Sequence, residues 1–397
     1  MNFKTLTLIS LASITFSSDA QTAAPSAITI TPYGLAHYRV RGDFTTQSDS
    51  AGNELKQKVY SNRISYYLGV KAQVHDKLSL QIQLGNDWVN TEVVSYKANN
   101  NQNYTKALFP YFHLAFASFT PGPFSFLFGK IPVESYGPLD LLERSIATNT
   151  YGSNGGLGAS FVGWATGTNN SLIGLKAEIP VLKNETKLSI NLTYAIIDGD
   201  AVLNTLRGQS LSADPKSNPS EQLFILDIPL KVKSLKLTPQ IFTILNRNNN
   251  KYTEESDNEY GAGLTAELKS GKVSLRAKGG FATYDNQNTR VNYPVNDTTR
   301  TTLAELEQFG FIGSIGTTVP AGPGNILLDV SVSSDENKKK SGSKVLYPYI
   351  DAKYSYSPVK NLDFVPRLRV FISKFDETNV IDKKTLVRPE LIIQAKF

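Results

Sequence analysis

Lys187-Leu188-Ser189-Ile190-Asn191-Leu192-Thr193-Tyr194-Ala195-Ile196 carries an apolar side chain at every second position, Leu188, Ile190, Leu192, Tyr194 and Ile196, with Lys187, Ser189, Asn191 and Thr193 between them. Side chains alternate across a strand, so this stretch reads as a β-strand with one apolar and one wet face. The alternation returns as Leu78, Leu80, Ile82 and Leu84 against Ser79, Gln81, Gln83 and Gly85, and as Ile326, Leu328, Val330 and Val332 against Leu327, Asp329, Ser331 and Ser333. It returns again as Leu362, Phe364, Pro366, Leu368, Val370 and Ile372 against Asp363, Val365, Arg367, Arg369, Phe371 and Ser373. No amphipathic helix of comparable length competes with it.

Carried along the chain, the pattern predicts about 16 strands, an even number of the kind single-chain membrane barrels use. They fall near 28–44, 57–74, 78–90, 107–120, 124–134, 171–182, 187–198, 220–232, 235–247, 259–269, 272–285, 304–320, 325–335, 343–358, 362–376 and 384–397. Short and long connectors alternate between them. His75-Asp76-Lys77, Lys233-Ser234, Ser270-Gly271 and Val359 to Asn361 are tight, whereas Ala201 to Ser220, Asn248 to Asn258 and Gln287 to Arg300 are long and polar. A soluble β-sandwich has no reason to sort its loops this way, while a membrane barrel has short turns at one end and long loops at the other. The strands run to roughly 11–18 residues, against the usual 5 or 6 of a globular strand, and are long enough to cross a bilayer at a barrel's tilt. The expected fold is therefore all-β, a closed antiparallel transmembrane barrel with its apolar face outward and its polar face lining a wet lumen.

Composition points the same way. The 397 residues include 19 Tyr and 20 Phe but one Met and no Cys, which leans towards β-structure and excludes disulfides, thiol nucleophiles and iron–sulfur clusters. Three His leave little for metal or acid–base chemistry, so no cofactor and no metal is expected. The formal charge of +6 is modest and contains no basic block longer than Lys338-Lys339-Lys340, so nucleic acid is not an expected partner. Residues 1–20 read as a cleaved export signal: Lys4, an apolar stretch from Leu6 to Phe16, then Ser18-Asp19-Ala20 before Gln21. Residues 21–397 then form a single barrel domain, and no apolar run beyond the signal reaches the roughly 20 residues of a membrane helix.

The last strand carries a more specific signal. Val387, Pro389, Leu391, Ile393, Ala395 and Phe397 alternate with Arg388, Glu390, Ile392, Gln394 and Lys396, and the chain stops on the aromatic. After an export signal, this resembles the assembly signal of Gram-negative outer-membrane proteins. Phe128-Gly129-Lys130-Ile131-Pro132-Val133-Glu134-Ser135-Tyr136-Gly137, followed by Leu142-Glu143-Arg144-Ser145, resembles a strand-then-loop passage of the phosphate-selective-type (O/P-like) porins. Leu192-Thr193-Tyr194-Ala195-Ile196-Ile197-Asp198-Gly199-Asp200 is similar to a later strand of that family running into its loop. The resemblance implies an outer-membrane diffusion channel that is not an enzyme. It further implies outer-membrane lipid and the barrel-assembly machinery as partners, small hydrophilic solutes or ions as cargo, and leaves a homotrimer open. No dense arginine ladder of the kind that argues for phosphate is visible, so the resemblance is not extended to that substrate.

A channel selects by its diameter and by the charges at its narrowest point. The connector 135–170 is the longest and is the candidate for a loop folded into the lumen, as the resembled porins use theirs; an external lid, or an extra strand pair over 157–167, stays open. Its stretch Leu139 to Ala147 has helical character and carries Asp140, Glu143 and Arg144, while Gly155-Gly156-Leu157-Gly158 lacks the Lys-Ser/Thr of a phosphate cradle. Basic residues outnumber acidic ones at inward positions, with Arg39/Arg41 and Arg367/Arg369 the paired cases. These arginines either face Asp140 and Glu143 across the pore, giving a transverse field and a mild anion preference, or pair with lumen carboxylates and brace the wall. His37, His75 and His113 have no Ser or carboxylate set near them, which disfavours an outer-membrane lipase or protease. A structural or adhesive barrel finds little support in loops without repeats. Trp88 and Tyr356 read as interfacial anchors, and Tyr67, Tyr347 and Tyr349 as inward aromatics able to stack on sugars.

If Phe397 is an assembly signal, deleting it or replacing it with a charged residue lowers the amount of protein recovered in outer-membrane fractions. An unchanged yield would make the terminal aromatic incidental.

Overall fold

The structure is a computed structural model and describes residues 28–86, 93–97, 111–132, 171–197, 221–247, 257–286, 306–338, 344–375 and 381–397. Within them lie β1 (Thr29–Asp49), β2 (Glu54–His75), β3 (Leu78–Asn86), β4 (Val93–Lys97), β5 (Tyr111–Phe119), β6 (Ser125–Pro132), β7 (Ser171–Lys183), β8 (Thr186–Ile197) and β9 (Glu221–Asp227). They continue as β10 (Leu230–Val232), β11 (Leu235–Arg247), β12 (Asp257–Ser270), β13 (Val273–Asn286), β14 (Leu306–Ala321), β15 (Gly324–Asn337), β16 (Val345–Val359), β17 (Leu362–Phe375) and β18 (Ile381–Lys396). All belong to one sheet, and because β1 pairs with both β2 and β18 the sheet closes on itself.

These eighteen segments make a barrel of sixteen staves. β4 continues β3 along β2, pairing Val59 with Lys97 beyond the point where Tyr66 pairs with Asn86. β9 and β10 both lie between β8 and β11, and the break between them falls at Ile228-Pro229, where proline has no N–H for the ladder. The register slips beside Pro180 in β7 and Pro358 in β16 have the same cause. Every pairing is antiparallel, and the expected strand positions agree with the observed ones to within a few residues at most ends. The largest differences are β1, which runs on to Asp49, and the third stave, which continues as β4 to Lys97; the expected positions 107–110 lie outside the described residues.

The alternation read in the sequence sorts the two faces in the sense opposite to a soluble protein. Tyr38, Val40, Ile64, Leu68, Ile315, Val330, Ile350, Leu368 and Leu391 are exposed, while Arg39, Arg41, Ser65, Ser314, Asp329, Asp351, Arg369 and Glu390 are buried. The tight turns, at Lys233, Gly271, Gly322 and Asn361, take positive φ and gather at one end of the barrel, here the turn end. At the opposite loop end the long staves β1 and β2 are joined by a hairpin in which the Asp49 carboxylate accepts hydrogen bonds from the Asn53 side chain (2.8 Å), the Asn53 amide (2.8 Å) and the Ala51 amide (3.0 Å). Those bonds, the Asn53 side chain foremost, hold the Asp49 carboxyl below the usual range.

The closure seam ends on the C-terminal residue. Gly34 N–H donates to the Phe397 carbonyl at 2.8 Å and Phe397 N–H returns a bond to the Gly34 carbonyl at 3.1 Å. The Phe397 ring lies over Gly34 so closely that a Cβ there would run into it. Gly34→Ala therefore pushes the exposed Phe397 ring aside, and we expect a loss of about 0.5 kcal/mol, read as a slightly lower unfolding midpoint. Gly313→Ala, at a glycine with nothing near the added methyl, leaves that midpoint unchanged.

Candidate functional site

Half-way along the barrel the seam staves carry a cluster of inward charges. The antiparallel register sets Arg41 opposite Glu390, Glu390 opposite Arg367 and Arg367 opposite Lys353, one row across β1, β18, β17 and β16. The adjacent row runs from Asp43 through Arg388 and Arg369 to Asp351. Arg369 and Arg388 are fully buried, and Arg39, Arg41, Asp351 and Glu390 nearly so.

Buried charges are costly unless paired, and these form ion pairs, those of Asp43 and Asp351 hydrogen-bonded as well. Glu390 forms ion pairs with Arg369, with Arg39 at 3.3 Å and with Arg367 at 4.0 Å. Asp43 takes a two-pronged contact from Arg388, Nε to Oδ1 at 2.6 Å and Nη2 to Oδ2 at 3.0 Å, and lies 3.4 Å from Arg41. Asp351 is held by both prongs of Arg367, with Nε at 2.8 Å. Arg41 Nε also donates to Ser61 Oγ at 2.8 Å. The guanidiniums of Arg369 and Arg388 lie 5.5 and 5.3 Å from the centre of the Phe371 ring, which stacks on Tyr349 at 4.9 Å. Five arginines thus meet three carboxylates, and the cluster keeps a positive balance.

The charged arc continues where Arg276 of β13 reaches Asp329 of β15 at 2.7 Å. It passes over Gly316 of β14, where a side chain would collide with the Asp329 carboxylate. Elsewhere the inward positions mix charge with neutral polar groups: Lys176 stands opposite Thr193, Lys278 lies between Thr265 and Ser314, and Asp227 accepts from Gln240 at 2.5 Å. At the turn end, Lys183, Lys187, Lys231 and Lys236 follow one another across β7, β8, β10 and β11 as direct cross-strand neighbours.

Four of the expected site residues, Arg39, Arg41, Arg367 and Arg369, come together here. Asp140, Glu143 and Arg144, and with them the connector 135–170, lie outside the described residues, as does Trp88. The carboxylates that meet the wall arginines are Asp43, Asp351 and Glu390 of the wall itself, so bracing is the arrangement that the described residues show. The sequence shows no dense arginine ladder, and closure gathers five arginines from β1, β17 and β18 into an ion-paired cluster. Arg388 and Glu390 also belong to the site; the alternation of the last strand places both of them inward, but nothing local marks their partners. His37 bonds Gln394 at 2.8 Å and approaches Ser65, His75 caps the turn before Leu78, and His113 lies on β5. Tyr349 is engaged by Phe371 rather than left open to a sugar. Among the described residues, no group of three His, Asp or Glu is placed to hold a metal.

No family model and no curated protein matches the chain. Solved structures do. The chain is similar to DcaP, an outer-membrane channel of Acinetobacter baumannii, with a TM-score of 0.53 and 10% identity over 94% of this chain and 99% of that one. It is similar to an anion-selective porin from Comamonas acidovorans, with a TM-score of 0.52 and 10% identity over 93% of this chain and 100% of that one. It is also similar to a loop-deletion form of OmpT, an outer membrane protein of Vibrio cholerae, with a TM-score of 0.53 and 12% identity over 94% and 100%. The shared feature is the fold: an antiparallel β-barrel of the kind outer-membrane proteins have.

Because Glu390 serves three arginines while buried, Glu390→Gln leaves positive charge uncompensated. We expect a loss of about 3–5 kcal/mol, seen as a lower unfolding midpoint in detergent. Pairing that change with Arg369→Met recovers part of the loss, which a double-mutant cycle measures.

Proposed function

We propose that the protein is an outer-membrane diffusion channel for small hydrophilic solutes and ions, with a preference for anions. The observation that carries this reading is the positive balance of the seam cluster, where Arg39, Arg41, Arg367, Arg369 and Arg388 face Asp43, Asp351 and Glu390 at mid-height of the lumen. The inward lysines Lys176 and Lys278, which neighbour Thr193, Thr265 and Ser314, add to the positive sign of the wall, with Asp227 beside Gln240 opposing it. The resulting field orders water and favours entry of one ion sign. The lysine row Lys183, Lys187, Lys231 and Lys236 extends the same sign to the turn-end mouth, which in this reading faces the periplasm. The carboxylates cancel part of the basic wall, and salt screens exposed charge beyond about 8 Å at physiological strength, so the preference is mild rather than exclusive.

Residues 135–170 are the proposed constriction, with Asp140, Glu143 and Arg144 as its charged members. Export through residues 1–20, outer-membrane residence, assembly by the barrel machinery and a homotrimeric arrangement belong to the same reading. The anion-selective porin among the similar structures supports it as an example of this barrel performing that task.

Zero-current potentials in a salt gradient across a planar bilayer test it. Replacing Arg39, Arg41, Arg367 and Arg369 together with glutamine moves the potential towards cation preference, provided heat-modifiable mobility shows that the barrel still folds. Lys353→Gln, which removes none of the cluster's ion pairs described above, shifts it the same way by less. No shift in either variant, with conductance present, would remove these side chains from the permeation path; no conductance at all would overturn the channel reading.

A further inference from the structure

The outer surface at the loop end is not uniform. On β17 the outward positions run Leu362, Phe364, Pro366, Leu368, Val370, Ile372 and then Lys374; on β18 they run Phe397, Ala395, Ile393, Leu391, Pro389, Val387, Thr385 and then Lys383. On β2, Leu68, Ile64 and Tyr60 are followed by Lys58 and Lys56. Each stave thus changes from apolar to lysine near the same register rows. Val370, Val387, Phe44 and Lys58 share one row, Ile372, Thr385, Thr46 and Lys56 the next, and Lys374, Lys383, Ser48 and Glu54 the one above. Lys344 stands just before β16, two residues ahead of Leu346, the cross-strand partner of Lys374.

All five lysines are exposed, and they converge on one arc of the barrel. Lys374 and Lys383 are direct cross-strand neighbours, an arrangement that destabilises a sheet unless something of opposite charge lies between them. The one ion pair among the described residues of the patch joins Lys56 to Glu54 at 3.0 Å. Hydroxyls of Thr46, Ser48 and Thr385 are interleaved with the ammonium groups. The outermost described outward positions on β7, β8 and β9 carry Ile173, Ile196 and Gln222 instead. Just below the patch Phe44 and Tyr60 meet edge to face at 5.9 Å, the aromatic level expected at a membrane boundary.

We propose that Lys344, Lys374, Lys383, Lys56 and Lys58 form a docking surface for the phosphorylated headgroups of anionic lipid in the leaflet at the loop end. The lysines sit where a lipid's phosphates lie when its chains pack on the belt beneath, and phosphate supplies opposite charge to the Lys374–Lys383 pair, which has no ion pair among the described residues. The inference rests on the membrane-barrel reading but not on ion selectivity, because every residue in it faces away from the lumen.

The test uses the folded protein in neutral detergent and counts retained lipid by native mass spectrometry after adding lipid A with both phosphates, the same lipid dephosphorylated, phosphatidylcholine, or inorganic phosphate. Wild type retains the phosphorylated lipid, and Lys58→Gln/Lys374→Gln/Lys383→Gln weakens that retention by about tenfold or more. Lys77→Gln/Lys272→Gln/Lys360→Gln, the same charge change at the turn end, does not weaken it. Conductance and zero-current potential stay at wild-type values in both triple variants, so a failure here is distinct from a failure of the channel reading. Equal retention by the two triple variants, equal retention of the dephosphorylated lipid, or an equal response to inorganic phosphate would each overturn the proposal.

Discussion

Hydrocarbon offers no hydrogen bonds, so a sheet that crosses it must pair every backbone N–H and C=O within itself. For β-structure the only solution without edges is closure, and the pairing of β1 with β18 is what achieves it. The rest of the molecule is arranged around that seam. The C-terminal Phe397 completes it by a reciprocal pair of backbone bonds with Gly34 and lays its ring in the space that glycine leaves. The densest group of inward charges spans it as well: Arg39–Glu390 and Arg388–Asp43 both join the first stave to the last.

Closure also inverts the usual distribution of side chains. A one-residue slip in register would send Arg388 and Glu390 to the lipid and Val387 and Pro389 to the lumen, so the alternation that earns membrane residence also specifies the seam. Buried ion pairs stabilise a fold weakly in net terms, yet removing one partner is costly. Together these make the cluster a specifier of register at the junction that must form correctly, with a surplus of arginine on the inward face.

Much of this was legible in the chain. The period of two in Leu188 to Ile196 and its repeats placed the strands. The alternation of tight and long connectors assigned the two ends, and the inward parity of Arg39, Arg41, Arg367 and Arg369 followed from the same count. The stave divided at Ile228-Pro229 was read as one strand from 220 to 232, which the ladder supports on both sides. What went unread was companionship. Arg388 and Asp43 lie 345 positions apart in sequence, and nothing local announces that they meet.

Sequence by itself determined the period, the strand number, the sidedness of each strand and the wet interior, because these depend on neighbours two residues apart and on connector length. Tertiary structure alone decided which inward charges face one another, since that depends on the register of strands brought together only by closure. It turned two arginine pairs and two unremarked residues of the last strand into one ion-paired cluster, and it gathered lysines from β2, β17 and β18 onto a single outer arc. Cross-strand distance is set by the circumference of the barrel, not by the order of residues along the chain.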